Sequence, residues 1–343
     1  MKTTRVAING FGRIGRSFVR RSWGRPEIEI VAVNDLGSID NLAYLLAHDT
    51  VYGNSPFSVK VADGALILDG KKVRFLSEKD PEQLPWKDLA IDVVVESTGF
   101  FTEYEKANAH IVAGARRVVI SAPGKGEETG ETATGATVLM GVNIDKLKEH
   151  KISSNGSCTT NASSPVIAIL NTMVGIELAL LNTTHSYTAT QSLMDGPVHG
   201  SDFRKGRTAA LNIVPTTTGA AVAVTKAYPE LVGKFDGIAL RVPVAAGSIA
   251  DITFIAKTET SVEEINDALT KASQMEQWKG LLSVTREPLV SSDIIGQPIA
   301  SIADLSMTRV VGGKLVKVLT WYDNEVGYTE SLVQHVIASG NIE

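Results

Sequence analysis

Two short stretches of this chain combine residue types and spacing that could do chemistry. The first is Gly10-Phe11-Gly12-Arg13-Ile14-Gly15, directly after the apolar run 5–8 and directly before a helical stretch, 16–23. Gly10 permits a tight turn, Gly12 lets backbone approach a pyrophosphate, and Gly15 lets the helix pack close to the strand. A helix start there adds free N–H groups and a positive dipole end. About twenty residues past the last glycine, the run 28–33 ends in Asn34-Asp35, so a carboxylate stands where an adenosine ribose would present its 2′-hydroxyl. It would also repel a 2′-phosphate, so the pattern implies a dinucleotide, NAD in preference to NADP.

The second stretch is Ser153-Ser154-Asn155-Gly156-Ser157-Cys158-Thr159-Thr160-Asn161, followed by an apolar helical stretch, 163–173. Cys158 is the only cysteine in 343 residues. A lone cysteine is ordinarily a small buried hydrophobe. Here the flanking hydroxyls and amides favour chemistry: the N–H groups and dipole of a helix start lower a thiol pKa, and His185 is the candidate for a thiolate–imidazolium pair. Pro165 falls inside the early helix, so either the helix proper begins near it or its first turns are irregular.

The elements that must position these groups fall into two patterns. Over the first 150 residues, Val/Ile-rich runs at 5–8, 28–33, 91–96 and 117–121 alternate with helical stretches, as in a parallel sheet with crossover helices, and 63–74 reads as a side hairpin. From about residue 178 onward, longer strand candidates (180–187, 237–244, 250–257, 314–322) follow one another with fewer helices, implying a mainly antiparallel second domain. The segment 324–339 carries Val326, Leu332, Val333 and Val336 at helical spacing; periodicity alone does not say which domain it covers.

Composition narrows the function classes. A net charge of −5 argues against a dedicated nucleic-acid binder, and 43% hydrophobic with 21% charged residues is ordinary for a folded chain. One cysteine permits no intrachain disulfide and no four-cysteine zinc site; no metal is expected. Val6-Ala7-Ile8 is too short for a secretory core or a membrane span, so a cytoplasmic placement without membrane association is expected.

The block 154–161 resembles the active-site peptide of the phosphorylating glyceraldehyde-3-phosphate dehydrogenases. The likeness continues in family order through 9–16, Glu96-Ser97-Thr98-Gly99, Ser121-Ala122-Pro123, the block 185–191, Arg241-Val242-Pro243 and Trp321-Tyr322-Asp323-Asn324-Glu325, across essentially the whole chain. It implies an α/β protein: a Rossmann-type, mostly parallel domain at 1–157, completed by the C-terminal helix 324–343, plus an α+β catalytic domain with a mainly antiparallel sheet at 158–323. It implies NAD, glyceraldehyde 3-phosphate and inorganic phosphate as ligands, and a homotetramer.

The resemblance also implies roles. Cys158 would attack the aldehyde and His185 would serve as base. Thr188 and Arg241 would hold the substrate phosphate. Ser157, Thr159, Thr218 and Gly219 would surround the attacking phosphate, with Arg204 assisting. Gly10, Gly12, Arg13, Ile14 and Gly15 would meet the pyrophosphate, Asp35 the ribose, Lys79, Thr98 and Ser121 the rest of the nucleotide, and Asn324 the nicotinamide carboxamide. The loop 195–207, with Gly196, Pro197, Gly200 and Gly206, resembles a cofactor-proximal loop at a subunit interface; Leu36 and Pro197 fit an NAD-preferring pattern. Departures are Gly156 where alanine is common, Ala162 in place of a frequent second cysteine, Lys79 where arginine is usual, and added length near 198–202. A dehydrogenase of the same build acting on erythrose 4-phosphate, or a catalytically idle NAD-binding protein, remain alternatives.

Overall fold

The computed structural model describes residues 2–128, 134–198 and 201–342. They form two compact units, Met1–Gly156 with Thr329–Glu343, and Ser157–Tyr328. Among the described residues, no helix is long and apolar enough to cross a membrane.

The first unit is built on a nine-stranded sheet. Its middle runs Arg117–Ile120, Val93–Glu96, Thr4–Asn9, Ile28–Asn34, Lys71–Leu76, all parallel. Val93, Val94 and Val95 are all fully buried, as expected of a parallel strand covered on both faces. Strand Thr4–Asn9 has its successor on one side and the later Val93–Glu96 on the other, so strand order reverses at its carboxyl end, the usual position of a ligand crevice in such sheets. Register sets Asn9 beside both Asn34 and Glu96 at that end.

The side hairpin expected at 63–74 is present, and it joins this sheet at its edge. Strands Val59–Ala62, Ala65–Leu68 and Lys71–Leu76 form an antiparallel meander, and the last pairs in parallel with Ile28–Asn34. Buried Val73 alternates with exposed Lys72 and Arg74, the pattern of a strand covered on one face.

The terminal helix, Val326–Gly340, begins two residues later than expected, and the Asp323 carboxylate caps its start by accepting the Glu325 and Val326 N–H groups at 2.8 and 2.9 Å. From Thr329 onward the chain belongs to the first unit, where Leu332, Val333 and Val336 are fully buried. Glu330 accepts from Arg21 and Arg25 at 2.9 and 2.7 Å. His335 is buried, its Nε2 2.9 Å from Ser153 Oγ and its Nδ1 3.0 Å from Asn155 Oδ1.

The second unit carries a seven-stranded sheet in the order Val214–Thr217, Phe235–Val242, Ile176–Ser186, Ser248–Ala256, Leu315–Tyr322, Ser301–Val311, Leu282–Thr285. It is mainly antiparallel; Ile176–Ser186 with Phe235–Val242, and Leu282–Thr285 with Ser301–Val311, are the parallel pairs. Helices Cys158–Met173, Ala220–Ala227 and Val262–Ser273 pack against it. Strand Ser301–Val311 escapes a sequence reading because Asp304, Ser306 and Arg309 interrupt its apolar run. Asp304 is nevertheless buried, accepting the Trp321 indole N–H at 3.1 Å.

Burial pushes the His335 pKa down to about 3 from its ordinary 6.5. The unfolded chain therefore takes up a proton below pH 6.5 that the folded chain refuses, and stability falls as pH drops from 6.5 toward 3. His335→Gln should flatten this acid limb by about one proton, about 1.4 kcal/mol per pH unit. Thermal unfolding between about pH 6.5 and 4.5 measures it; an unchanged slope would mean that His335 protonates freely in the fold.

Candidate active site

The glycine turn has the shape its spacing implies. Helix Arg13–Ser22 starts inside the motif with Gly12 as N-cap, three residues before the start expected from the sequence. Gly10 has a φ of +94°, and a methyl group there would lie 2.6 Å from the Thr98 backbone N. At Gly15 it would lie 2.2 Å from the Gly10 carbonyl oxygen. At Gly12 it would meet nothing within 4 Å. Gly10 and Gly15 are thus required by contacts inside the fold, and Gly12 faces open space.

That space belongs to a cleft of about 550 Å³ lined by Gly10, Gly12, Asp35, Lys79, Thr98 and Phe100, among others. Asp35 accepts the Phe11 N–H at 2.6 Å and the Gly37 N–H at 2.8 Å, so its carboxylate is locked to the glycine turn. The Arg13 guanidinium pairs with Asp49 and lies 5.7 Å over the Tyr52 ring; what Arg13 and Ile14 present at the turn is backbone in the first turn of the helix. Ser121 follows strand Arg117–Ile120 and donates its N–H to the Glu96 carbonyl at 2.9 Å.

A buried polar network under the cleft was not anticipated. Glu96 accepts from Asn9 Nδ2 at 2.6 Å and from the Thr98 N–H at 2.8 Å, with His110 Nε2 3.0 Å away. The Trp86 indole N–H can only donate, and it donates to His110 Nδ1 at 3.1 Å, leaving the proton on Nε2 for Glu96. Asn34 Nδ2 donates to Asn9 Oδ1 at 2.7 Å. The available signal was a polar residue ending each of three apolar strand runs.

In the second unit, Ser157 caps the helix that Cys158 opens. Ser157 Oγ accepts the Thr160 N–H at 3.1 Å, and Thr160 Oγ1 accepts the Ser157 N–H at 3.3 Å. This capping box starts the helix at Cys158 rather than near Pro165, which sits in its third turn. His185 is the penultimate residue of strand Ile176–Ser186 and 3% exposed. Cys158 Sγ lies 3.3 Å from His185 Nε2. His185 Nδ1 lies 2.7 Å from the Ser186 carbonyl oxygen, which can only accept, so the ring proton sits on Nδ1 and Nε2 faces the thiol as acceptor. Arg241 is the register partner of His185 on the neighbouring parallel strand, and its Nη1 stands 2.6 Å from His185 Nδ1 and donates to the same Ser186 carbonyl oxygen at 3.1 Å.

Burial, and after it the Arg241 charge, push the His185 pKa down to about 3. Burial pushes the Cys158 thiol up, opposed by the Arg241 charge and by the Thr159 backbone N–H. The expectation that a helix start alone would lower the thiol pKa is therefore corrected: desolvation outweighs it. Cys158 keeps part of its surface in solvent, which limits the penalty. A lone thiolate and a lone imidazolium are each disfavoured. Proton transfer between them makes both charges at once, 3.3 Å apart, where their attraction offsets the cost.

The other expected residues are distributed as follows. Thr159 lies in this cluster, its Oγ1 2.8 Å from the Tyr322 hydroxyl. Gly219 caps helix Ala220–Ala227, and Thr218 Oγ1 accepts the Ala220 N–H at 3.2 Å. Thr188 Oγ1 lies 2.9 Å from Thr190 Oγ1. Arg204 donates to Asp202 at 2.7 Å in the exposed turn Phe203–Gly206. Gly200, part of the loop 195–207, lies outside the described residues. The Asn324 carboxamide oxygen accepts from Ser186 Oγ at 2.6 Å and Ser248 Oγ at 3.2 Å.

A parallel sheet with a glycine turn at its switch point and a carboxylate at the next strand tip defines a dinucleotide-binding oxidoreductase fold. The family model described as the glyceraldehyde 3-phosphate dehydrogenase NAD binding domain matches residues 4–104, and the model for the C-terminal domain of the same family matches residues 157–324. The chain is 46% identical over 342 residues to glyceraldehyde-3-phosphate dehydrogenase 1 of Streptomyces avermitilis, covering 99% of each chain. It is 49% identical over 332 residues to glyceraldehyde-3-phosphate dehydrogenase of Thermotoga maritima, covering 96% of this chain and 97% of that one. With the Geobacillus stearothermophilus enzyme it shares 46% over 331 residues, 96% of each. The chain belongs to the glyceraldehyde-3-phosphate dehydrogenase family and is an NAD-dependent oxidoreductase.

If the Asp35 carboxylate meets the adenosine ribose, as expected from the sequence, Asp35→Ala removes a charged acceptor from the cofactor and frees the Phe11 N–H. A hydrogen bond to a charged group contributes about 1.5–3 kcal/mol, so NAD affinity should fall roughly 10- to 100-fold. Titration of the chain with NAD followed by calorimetry measures it; unchanged affinity would place the ribose elsewhere.

Proposed function

We propose that the protein oxidises glyceraldehyde 3-phosphate with NAD and inorganic phosphate to 1,3-bisphosphoglycerate, a phosphorylating step of glycolysis, as a cytoplasmic homotetramer. The observation that carries the reading is the 3.3 Å approach of Cys158 Sγ to His185 Nε2 in a chain of this family.

Cys158 passes its proton to His185 Nε2, and the thiolate attacks the aldehyde carbon; the new alkoxide takes the proton back, giving a hemithioacetal. His185 then removes the hydroxyl proton as the carbon–hydrogen electron pair departs. NAD supplies the acceptor for that hydride. The product on Cys158 is a thioester. A phosphate oxygen attacks its carbonyl carbon and the Cys158 thiolate leaves, beside a His185 still carrying the proton it removed. Arg241 and Thr188 hold the substrate phosphate, and a guanidinium suits a phosphate through paired N–H donors. Ser157, Thr159, Thr218 and Gly219 surround the attacking phosphate. Arg204 assists only by giving up its bond to Asp202. Gly10, Gly12, Arg13, Ile14 and Gly15 hold the pyrophosphate, Asp35 the ribose, Lys79, Thr98 and Ser121 the remaining nucleotide. Asn324 serves the carboxamide: with its oxygen accepting from Ser186 and Ser248, its NH₂ is the group left to donate.

NADH absorbance tests the chemistry. Reduction should require phosphate or arsenate, vanish in Cys158→Ser, and fall by about 10²- to 10⁴-fold in kcat in His185→Asn. Reduction that ignores phosphate or survives loss of Cys158 would sink the reading.

Support for self-association comes from the second unit's sheet, where Leu178, Leu180, Ile238, Ile255 and Leu315 are exposed. Apolar side chains grouped on a sheet face mark an interaction surface. Leu180, 66% exposed, should be buried between copies. Leu180→Arg should lower the mass measured by sedimentation below that of four chains; an unchanged mass would put the interface on another face.

A further inference from the structure

One buried hydroxyl joins the two elements that carry Cys158 and His185. Tyr322 ends strand Leu315–Tyr322 and is 1% exposed. Its phenol oxygen lies 2.8 Å from Thr159 Oγ1 and 2.7 Å from Thr183 Oγ1. Thr159 is the residue after Cys158 in the first turn of its helix. Thr183 precedes His185 by two residues on strand Ile176–Ser186, so the two side chains leave the strand on the same face. The Tyr322 ring also stands edge-on to the His185 ring, with centroids 5.9 Å apart at 75°.

The hydrogen-bond directions follow from a single fixed end. Thr183 Oγ1 donates to the Ile249 carbonyl oxygen at 3.3 Å, and a carbonyl can only accept. With its own proton used, Thr183 accepts from Tyr322, and Tyr322, its proton used in turn, accepts from Thr159. The chain Thr159–Tyr322–Thr183–Ile249 thus runs from the nucleophile's helix to the base's strand and on to strand Ser248–Ala256 with each hydroxyl donating once. Burial raises the Tyr322 pKa well above the ordinary phenol value, so the proton that orders the chain stays in place. The charged or titratable groups facing His185 are Cys158 from the helix, Arg241 from Phe235–Val242 and Tyr322 itself.

We propose that Tyr322 is a positioning residue for the Cys158–His185 pair: its hydroxyl sets the spacing across which the thiol hands its proton to the imidazole. The proposal rests on the reading of Cys158 as nucleophile and His185 as base. The Tyr322 hydroxyl is bonded to Thr159 and Thr183 and acts through them. Without the hydroxyl, Thr159 and Thr183 lose their common partner, and the first turn of the helix is free to move relative to the strand. A misplacement of about 1 Å at reacting groups costs about 10²-fold in rate.

Tyr322→Phe removes the hydroxyl and keeps the ring; Thr183→Val breaks the same link from the strand side and keeps the shape. On the full chain with NAD, three readouts apply to both: the pH profile of Cys158 alkylation by iodoacetamide, kcat and KM for the aldehyde, and thermal unfolding. The alkylation midpoint should rise by about one pH unit and kcat should fall about tenfold or more, with KM changed less than about threefold and Tm within about 5 °C. A parent-like alkylation profile in either folded variant overturns the proposal. So does loss of the fold in both, which would make the hydroxyl scaffold and nothing more. If alkylation leaves the parent's own activity intact, the reading of Cys158 fails and the proposal falls with it, a result told apart from the others because it appears before any variant is made.

Discussion

A charge on Cys158 alone, or on His185 alone, is disfavoured in this fold. Burial raises the thiol and depresses the imidazole, and only a proton passed between groups 3.3 Å apart creates charges that stabilise one another. Much of the second unit meets that constraint. The capping box of Ser157 and Thr160 fixes where the helix begins and therefore where the sulfur points. The parallel pairing of Ile176–Ser186 with Phe235–Val242 brings Arg241 opposite His185, so one guanidinium is in contact with the base and carries the charge that opposes the thiol's upward shift. An anion bound to that guanidinium would offset its charge and relieve the downward push on the imidazole.

The first unit answers a different physical demand. Strand, turn and helix pack so closely that the turn tolerates no side chain at Gly10 or Gly15, while Gly12 faces open space. Three strand tips meet there, and their polar residues are satisfied by one another: Asn34 to Asn9, Asn9 to Glu96, Trp86 through His110 to Glu96. A buried carboxylate without such partners would be costly, and a fully partnered one makes the cleft floor rigid.

Legibility differed by residue. The glycine turn, Asp35 and the Cys158 peptide were readable because their chemistry is local: turn, cap and helix start lie within a few residues of one another. The hairpin near 63–74 was readable from its alternation, but its attachment to the main sheet was not, since that rests on the pairing of Lys71–Leu76 with the distant Ile28–Asn34. Ser301–Val311 was missed because its Asp304 and Ser306 look like loop residues until Trp321, from another strand, supplies a partner. Tyr322 and Ser186 stood inside matched blocks without a task of their own and Ser248 stood in none, since each acts on a residue distant in sequence.

By itself the sequence determined the family, the dinucleotide chemistry of the first 150 residues and the identity of the one thiol, because residue type and short spacing decide turns, caps and nucleophiles. Tertiary structure decided which way the ionisable groups shift. Dipole and neighbouring N–H groups, all that a sequence can display, favour the thiolate; enclosure by residues from distant strands opposes it, and that enclosure exists only once the sheet has closed around the helix.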